Sequence, residues 1–425
     1  MKGTVLEISW HEKEPVLSVH CSAKRFATAG ADNDVKLWSM PVREEANCSK
    51  IFFISSLSCH KATVNVVRFS PCENFISSGS DDGTIIIWKQ NQELSPKDVE
   101  SGHLEGWQVL HVLRMHRGDV YDLCWSPCGK FIVSASIDNV AVVWDAFKAK
   151  PLQQLMEHRH YVQGITWDPL NNFIASQSSD RTCRIYKVKE KGHGTVSCKF
   201  SFNIDFLTLQ LDEDTVVKKR LFADETLNTF FRRLEFSPDG RLLLTPAGLK
   251  EKEYCVYGFA RQNLSRPVIC FPGLEKPAVA VRFCPVKFNR LPLKGAPLFD
   301  LPYRHVFSVV TLNSVLLYDT QHSHPFAALA NLHYASLTDA SWSPDGSMLF
   351  VSSRDGYCSI INFDSGELAV FASTMSFIMR IEPSLARVIF RMKVHFVIPR
   401  IYLPVADVDS IKCARKLAWL VNKNH

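Results

Sequence analysis

Nowhere in the 425 residues do about 18 consecutive apolar residues occur, the run a helix needs to cross a bilayer. The opening stretch MKGTVLEISWHEKE also lacks the apolar segment of a signal peptide. We therefore expect a cytosolic or nuclear chain with no membrane partner. Thirteen cysteines are present, but the nearest two, Cys124 and Cys128, flank a Trp-Ser-Pro turn without CxxC spacing or a neighbouring histidine. That pattern supports neither a zinc site nor a disulfide framework. The cysteines read instead as small buried apolar residues. P-loop, dinucleotide, GxSxG and HExxH motifs are all missing. His322 and His324 stand two apart with no third ligand in sequence. Neither an enzyme, nor a cofactor, nor a bound metal is expected.

Charge of one sign is also scarce over most of the length. The formal net charge is +6, and residues 371–425 hold nine Lys/Arg against Glu382, Asp407 and Asp409, so they account for 9 − 3 = +6. The first 370 residues are neutral, which argues against direct, sequence-specific DNA binding. Apolar residues at 46% and charged residues at 22% suit a chain with a substantial core.

What is abundant is a repeat. His60 precedes Asp82, His116 precedes Asp138, His158 precedes Asp180 and His333 precedes Asp355, each by 22 residues, and an opening copy from His11 to Asp32 has 21. Six residues after Asp32, Asp82, Asp138 and Asp180 come Trp38, Trp88, Trp144 and Tyr186, and four before them come Thr28, Ser78, Ser134 and Ser176. These offsets match the WD repeat, whose unit is a four-stranded blade. A buried turn aspartate needs donors, which an imidazole, a hydroxyl and an indole N–H can supply in a chain. The recurring His and Asp residues are therefore assigned to structure. Between each His and Asp, runs such as VYDLCWSPCGKFIVSAS alternate β-branched and aromatic residues around a Ser-Pro turn and read as hairpins. Weaker copies at 234–248 and 281–319, with the His333 copy running on through 340–363, bring the count to seven. The last departs from the tetrad, with Val351 and Ile361 at the hydroxyl and aromatic positions.

The expected fold is thus an all-β, seven-bladed propeller over residues 1–366. Insertions are expected at 89–111 and 187–229, and strand 4–9 should close the last blade. Residues 367–425 form an atypical basic and apolar tail without clear periodicity, read either as a docking segment or as a divergent end.

The wording of the copies is more specific than the repeat. HKATVNVVRFSP, YVQGITWDPL, FFRRLEFSPDGRLLLTPAG and LPYRHVFSVVTLNSVLLYDTQ resemble the family of the chromatin assembly factor 1 WD-repeat subunit and the histone-regulation WD proteins. That resemblance implies a nuclear scaffold that helps deposit histones H3 and H4 on replicating or repaired DNA, held by the large subunit of the complex. It also implies an anti-silencing histone chaperone as partner, but the tail lacks the motif that would recruit it. Replication-independent deposition is the nearest alternative, and a substrate receptor of a ubiquitin ligase is the alternative from another class. Phe230, Phe231, Arg232 and Arg233, with Tyr303 and Arg304, are the candidate partner contacts, since guanidiniums and aromatics anchor many interfaces. The competing reading packs the aromatics between blades. Glu93, Asp98, Glu100 and Glu105 form a second candidate, attractive to basic tails or simply solvated.

Overall fold

The computed structural model describes residues 1–5, 8, 10–41, 51–91, 93–94, 96–191, 195–210, 216–227, 229–292, 297–364, 366–370 and 377–380. Seven antiparallel sheets follow one another along the chain. Their first strands, Val16–Cys21, Val64–Phe69, Val120–Trp125, Val162–Trp167, Glu235–Phe236, Ala278–Phe288 and Leu337–Trp342, pack in a closed cycle, the seventh against the first. This is a seven-bladed propeller, with those strands lining the axis. Blades 1 to 6 are sequential meanders; blade 7 takes its outer strand from Lys2–Val5, which pairs antiparallel with Cys358–Asn362. The closing strand is therefore 2–5, earlier than the expected 4–9.

The alternation in the sequence explains the packing. Within the third strand of blade 2, Ile86 joins the apolar cluster shared with blade 1, while Ile85 and Ile87 join the one shared with blade 3. Successive side chains of a strand point to opposite faces, and in a propeller both faces of each blade are buried by its neighbours. Seven clusters result, one at each of the seven interfaces. On the rims away from the tetrads, Ser-Pro turns end in glycine at positive φ, as at Gly240 (φ 68°), where a side chain would strain the backbone.

The two expected insertions are mostly blade. Thr84–Asn91 and Gly106–Arg114 are the third and outer strands of blade 2, so only the short link with helix Pro96–Glu100 is added. Likewise Cys183–Lys191 and Thr195–Ile204 complete blade 4, leaving the hairpin Phe206–Gln210 and Val216–Arg220 as the true addition. Of the tail, Phe377–Arg380 runs parallel to Ala327–Ala330 at the outer edge of blade 6. Tail positions 371–376 and 381–425 lie outside the described residues.

Candidate functional site

In blades 1, 2 and 3 the tetrad closes as a hydrogen-bonded chain. In blade 3, His116 Nδ1 lies 2.9 Å from Asp138 Oδ2, His116 Nε2 2.7 Å from Ser134 Oγ, and the Trp144 indole donates to the same hydroxyl at 2.8 Å. Blade 2 repeats it with His60, Asp82, Ser78 and Trp88, and blade 1 with His11, Asp32, Thr28 and Trp38. In blade 4, His158 joins Asp180 and Ser176, with Tyr186 buried at the aromatic position. Burial alone would raise the Asp32 carboxyl, yet His11 and Lys36 bring it down to about 2. In blade 7 the hydroxyl missing at Val351 comes from Ser359, which lies directly across the ladder from Val351 and sits 2.7 Å from His333 Nε2.

The axis is built differently. Six first strands carry a register shift near their start, at Val16/Ser18, Val64/Val66, Val120/Asp122, Val162/Gly164, Ala278/Ala280 and Leu337/Asp339. A bulge takes one residue out of the ladder, so its carbonyl must find a donor elsewhere. Five of the bulged residues find it in Arg232 and Arg233. The Arg232 amide donates to Gln163 O at 3.0 Å and the Arg233 amide to Val279 O at 2.9 Å. The Arg233 guanidinium donates to Asn65 O at 2.7 Å, Leu17 O at 3.1 Å and Thr338 O at 3.2 Å. One residue of blade 5 thereby reaches blades 1, 2, 6 and 7.

Around it lies a buried ionic cluster. Asp339 is approached by Arg233 at 2.7 Å, Arg282 at 2.8 Å and Arg68 at 3.0 Å, and Ser18 Oγ donates to it at 2.9 Å. Asp122 accepts the Ile165 amide at 3.1 Å. Burial would raise the Asp339 carboxyl, but the three guanidiniums outweigh it and hold the group well below the usual carboxylate range. Burial likewise draws Arg233 down to about 10, against the pull of Asp339 and Asp122, which leaves it charged at neutral pH.

Arg232, Arg233 and Arg304 are thus corrected from candidate partner contacts to interior residues. All three are fully buried. Arg232 spends its guanidinium on Ser178 O at 3.1 Å, Ala223 O at 2.7 Å and Asp224 O at 2.5 Å, and Arg304 on Asp319 at 3.0 Å and Leu368 O. Phe231 is buried too, its ring 3.9 Å from the Arg233 guanidinium carbon. Tyr303 bonds Asp239, a residue of the turn after the first strand of blade 5. Phe230 precedes that strand, so the two aromatics belong to opposite ends of the channel. Of the acidic candidates, Glu105 pairs with Arg25 and Asp98 with His103.

What remains at the tetrad-side mouth of the channel is aromatic. Phe230 is 52% exposed and Tyr161 43%, while Tyr334, 70% exposed, stands at the blade 7 tetrad, its amide donating to Asp355 at 3.0 Å. The Arg354 guanidinium stacks 5.0 Å from the Phe230 ring centre, over a notch lined by Leu17, Val279, Leu312 and Leu337. An exposed aromatic stacked by a guanidinium beside a partly apolar notch suits capture of a protein segment. The missed member was Arg354, two residues beyond the second strand's Ser352, in a position no motif marks.

Glu235 offers a pH test of the axis. It accepts the Phe283 amide at 2.5 Å, and burial pushes its carboxyl up to about 7 despite Arg282 and Arg68. Folding raises this pKa, so the stability it contributes is full below about 4.5 and fades as pH rises through about 7. Urea unfolding of Glu235→Gln between about pH 5 and pH 8 should show a difference from the parent that grows with pH. A constant difference would remove Glu235 from the account.

Fold and mouth together define a class: a WD-repeat propeller that presents loops and an aromatic channel mouth on a rigid disc. The CAF1B/HIR1 beta-propeller domain matches residues 1–368, and the chain belongs to that family. It is 44% identical over 383 residues to the chromatin assembly factor 1 subunit FAS2 homolog of Oryza sativa subsp. japonica, covering 87% of this chain and 74% of the rice protein. A chromatin assembly factor 1 subunit of Mus musculus is 42% identical over 397 residues, covering 87% of this chain and 68% of the mouse protein. Protein HIR1 of Kluyveromyces lactis is 27% identical over 365 residues, covering 81% of this chain and 40% of the yeast protein.

Proposed function

We propose that this chain is the non-catalytic scaffold of a nuclear histone chaperone complex that deposits H3 and H4 during replication- and repair-coupled nucleosome assembly. The observation that carries the reading is the 42–44% identity with chromatin assembly factor 1 subunits across the propeller, against 27% for the HIR1 relative. The physics is consistent with it. The first 370 residues are neutral, and the ionic cluster at the axis is paired internally, which favours protein contact over a DNA track. The large subunit and the histones are the partners this reading requires, and Phe230 with Tyr161 is the surface it assigns to one of them.

Affinity purification from nuclear extract tests it. Recovery of the large chromatin assembly subunit together with H3 and H4 is expected, whereas cullin adaptors without histones would sink the reading. Phe230→Asp should lower that recovery at least about tenfold, in line with loss of an interface anchor. Its thermal midpoint should stay near the parent's, because the side chain is half exposed. Full recovery by the variant would take Phe230 out of the interface.

A further inference from the structure

A second site lies on the rim of blade 4, apart from the channel mouth and independent of the function proposed above. A pocket of ≈ 300 Å³ opens between the loops of that blade and the added hairpin. Three guanidiniums line it, brought from separate segments: Arg159 from the loop after His158, Arg184 from the third strand, and Arg220 from the end of the hairpin. Two of them are backed by rings, Arg220 over Phe206 at 4.8 Å and Arg184 over Phe200 at 6.0 Å. Stacking holds a guanidinium plane without consuming its N–H donors, although Arg184 spends one of them, its Nε donating to Thr182 Oγ1 at 3.3 Å.

The carboxylates there do not use up this charge. Asp180 accepts His158 at 2.8 Å, the Thr182 amide at 3.0 Å and hydroxyl at 2.6 Å, and the Arg159 amide at 3.1 Å, while Arg184 approaches it at 3.6 Å. It is a saturated member of the blade 4 tetrad. Asp205 is the other acid on the wall, so three cations face two anions. Among the described residues neither Arg159 nor Arg220 has an ion pair, whereas Arg181, in the same turn as Asp180, is paired with Asp224.

We propose that this pocket binds a phosphate monoester dianion. Planar guanidiniums converging from three directions match a tetrahedral group with three acceptor oxygens. A single carboxylate has only two oxygens and half the charge. A nucleic-acid backbone would need a continuous basic track, and the neutral body offers one compact pocket instead. Phosphate carried on a protein side chain and free phosphate share this chemistry, and the experiment separates them.

Isothermal titration of the full chain with a phosphoserine peptide, its unphosphorylated form, inorganic phosphate and a single-stranded oligonucleotide is the test. The phosphopeptide and inorganic phosphate should bind and the unphosphorylated peptide should not. A preference of tenfold or more for the phosphopeptide identifies a protein-borne group, and equal affinity identifies the free anion. Affinity should rise between about pH 5.5 and 7.5, as the monoester loses its second proton near pH 6. Arg220→Glu and Arg159→Glu change exposed side chains and should each weaken binding at least tenfold while circular dichroism stays unchanged. Absence of binding beyond a sodium chloride control overturns the proposal. So does oligonucleotide binding that survives both substitutions, or binding of the unphosphorylated peptide at equal strength.

Discussion

Replacing Arg233 by methionine should cost about 3–5 kcal/mol of folding stability, the range for removing one partner of a buried ion pair. The change strips three bulge carbonyls of their donor and leaves Asp339 with two guanidiniums where it had three. Arg233→Lys should recover only part of the loss, since an ammonium is a point charge that cannot span the carbonyls of blades 1, 2 and 7 that the guanidinium reaches. Urea unfolding of the three proteins measures this. A methionine variant as stable as the parent would show that the carbonyls are satisfied in some other way.

Gly164→Ala should be nearly as damaging. A Cβ at that position would stand 1.9 Å from the Arg232 carbonyl oxygen and 2.6 Å from its carbon. Both are backbone atoms, anchored by the Arg232 amide bond to Gln163. No rotamer change relieves such a clash, so the cost belongs at or above the top of the about 1–3 kcal/mol of ordinary overpacking. Loss of more than that in denaturant titration is expected, with the crossing of blades 4 and 5 as the first region to lose hydrogen-exchange protection. A change under about 0.5 kcal/mol, the usual effect of a surface substitution, would refute the seating described for Arg232.

Seven blades were legible because a buried turn aspartate imposes the same donors at the same offsets in every copy. The seventh blade shows where that logic stops. Its hydroxyl moved from the second strand to Ser359 on the third, eight residues along the chain but adjacent across the ladder, and fixed offsets register only the first kind of neighbour. The insertions were overestimated for a related reason: strands running past the blade rim, such as Gly106–Arg114, face solvent and lose the apolar alternation that marks a strand.

The misplacement of Arg232 and Arg233 is more instructive. Two consecutive arginines after a polar stretch look like surface, because burying them costs several kcal/mol apiece without acceptors. The acceptors of the Arg233 guanidinium are carbonyls freed by bulges in other blades, separated by as many as 216 residues, and those of Arg232 are the carbonyls of Ser178, Ala223 and Asp224. Nothing in a linear pattern marks a bulge. What the sequence did carry was the unusual wording itself: FFRRL and LLLTPAG sit in blade 5, one of the two blades without a His-Asp pair, and they supply a different interlock there. Gln177 donates to Pro246 O at 2.6 Å, and Arg232 ties Ser178 of blade 4 to Ala223. Specific wording signalled a specific interlock, though not a binding surface.

The strand at Lys2–Val5 has a bearing on how the molecule is made. It leaves the ribosome ahead of every blade, yet its partner at Cys358–Asn362 emerges only after all the others. At about 5–20 residues per second that is a wait of roughly twenty seconds to more than a minute. Until then the nascent protein is an open arc, with an unclaimed strand at one end and the acceptors of Arg233 only partly assembled. Ring closure and filling of the axis thus fall due at the same moment, late in synthesis. A truncated or stalled chain would therefore lose both together, which makes the unfinished product an easy one for chaperones and proteases to distinguish from the finished disc.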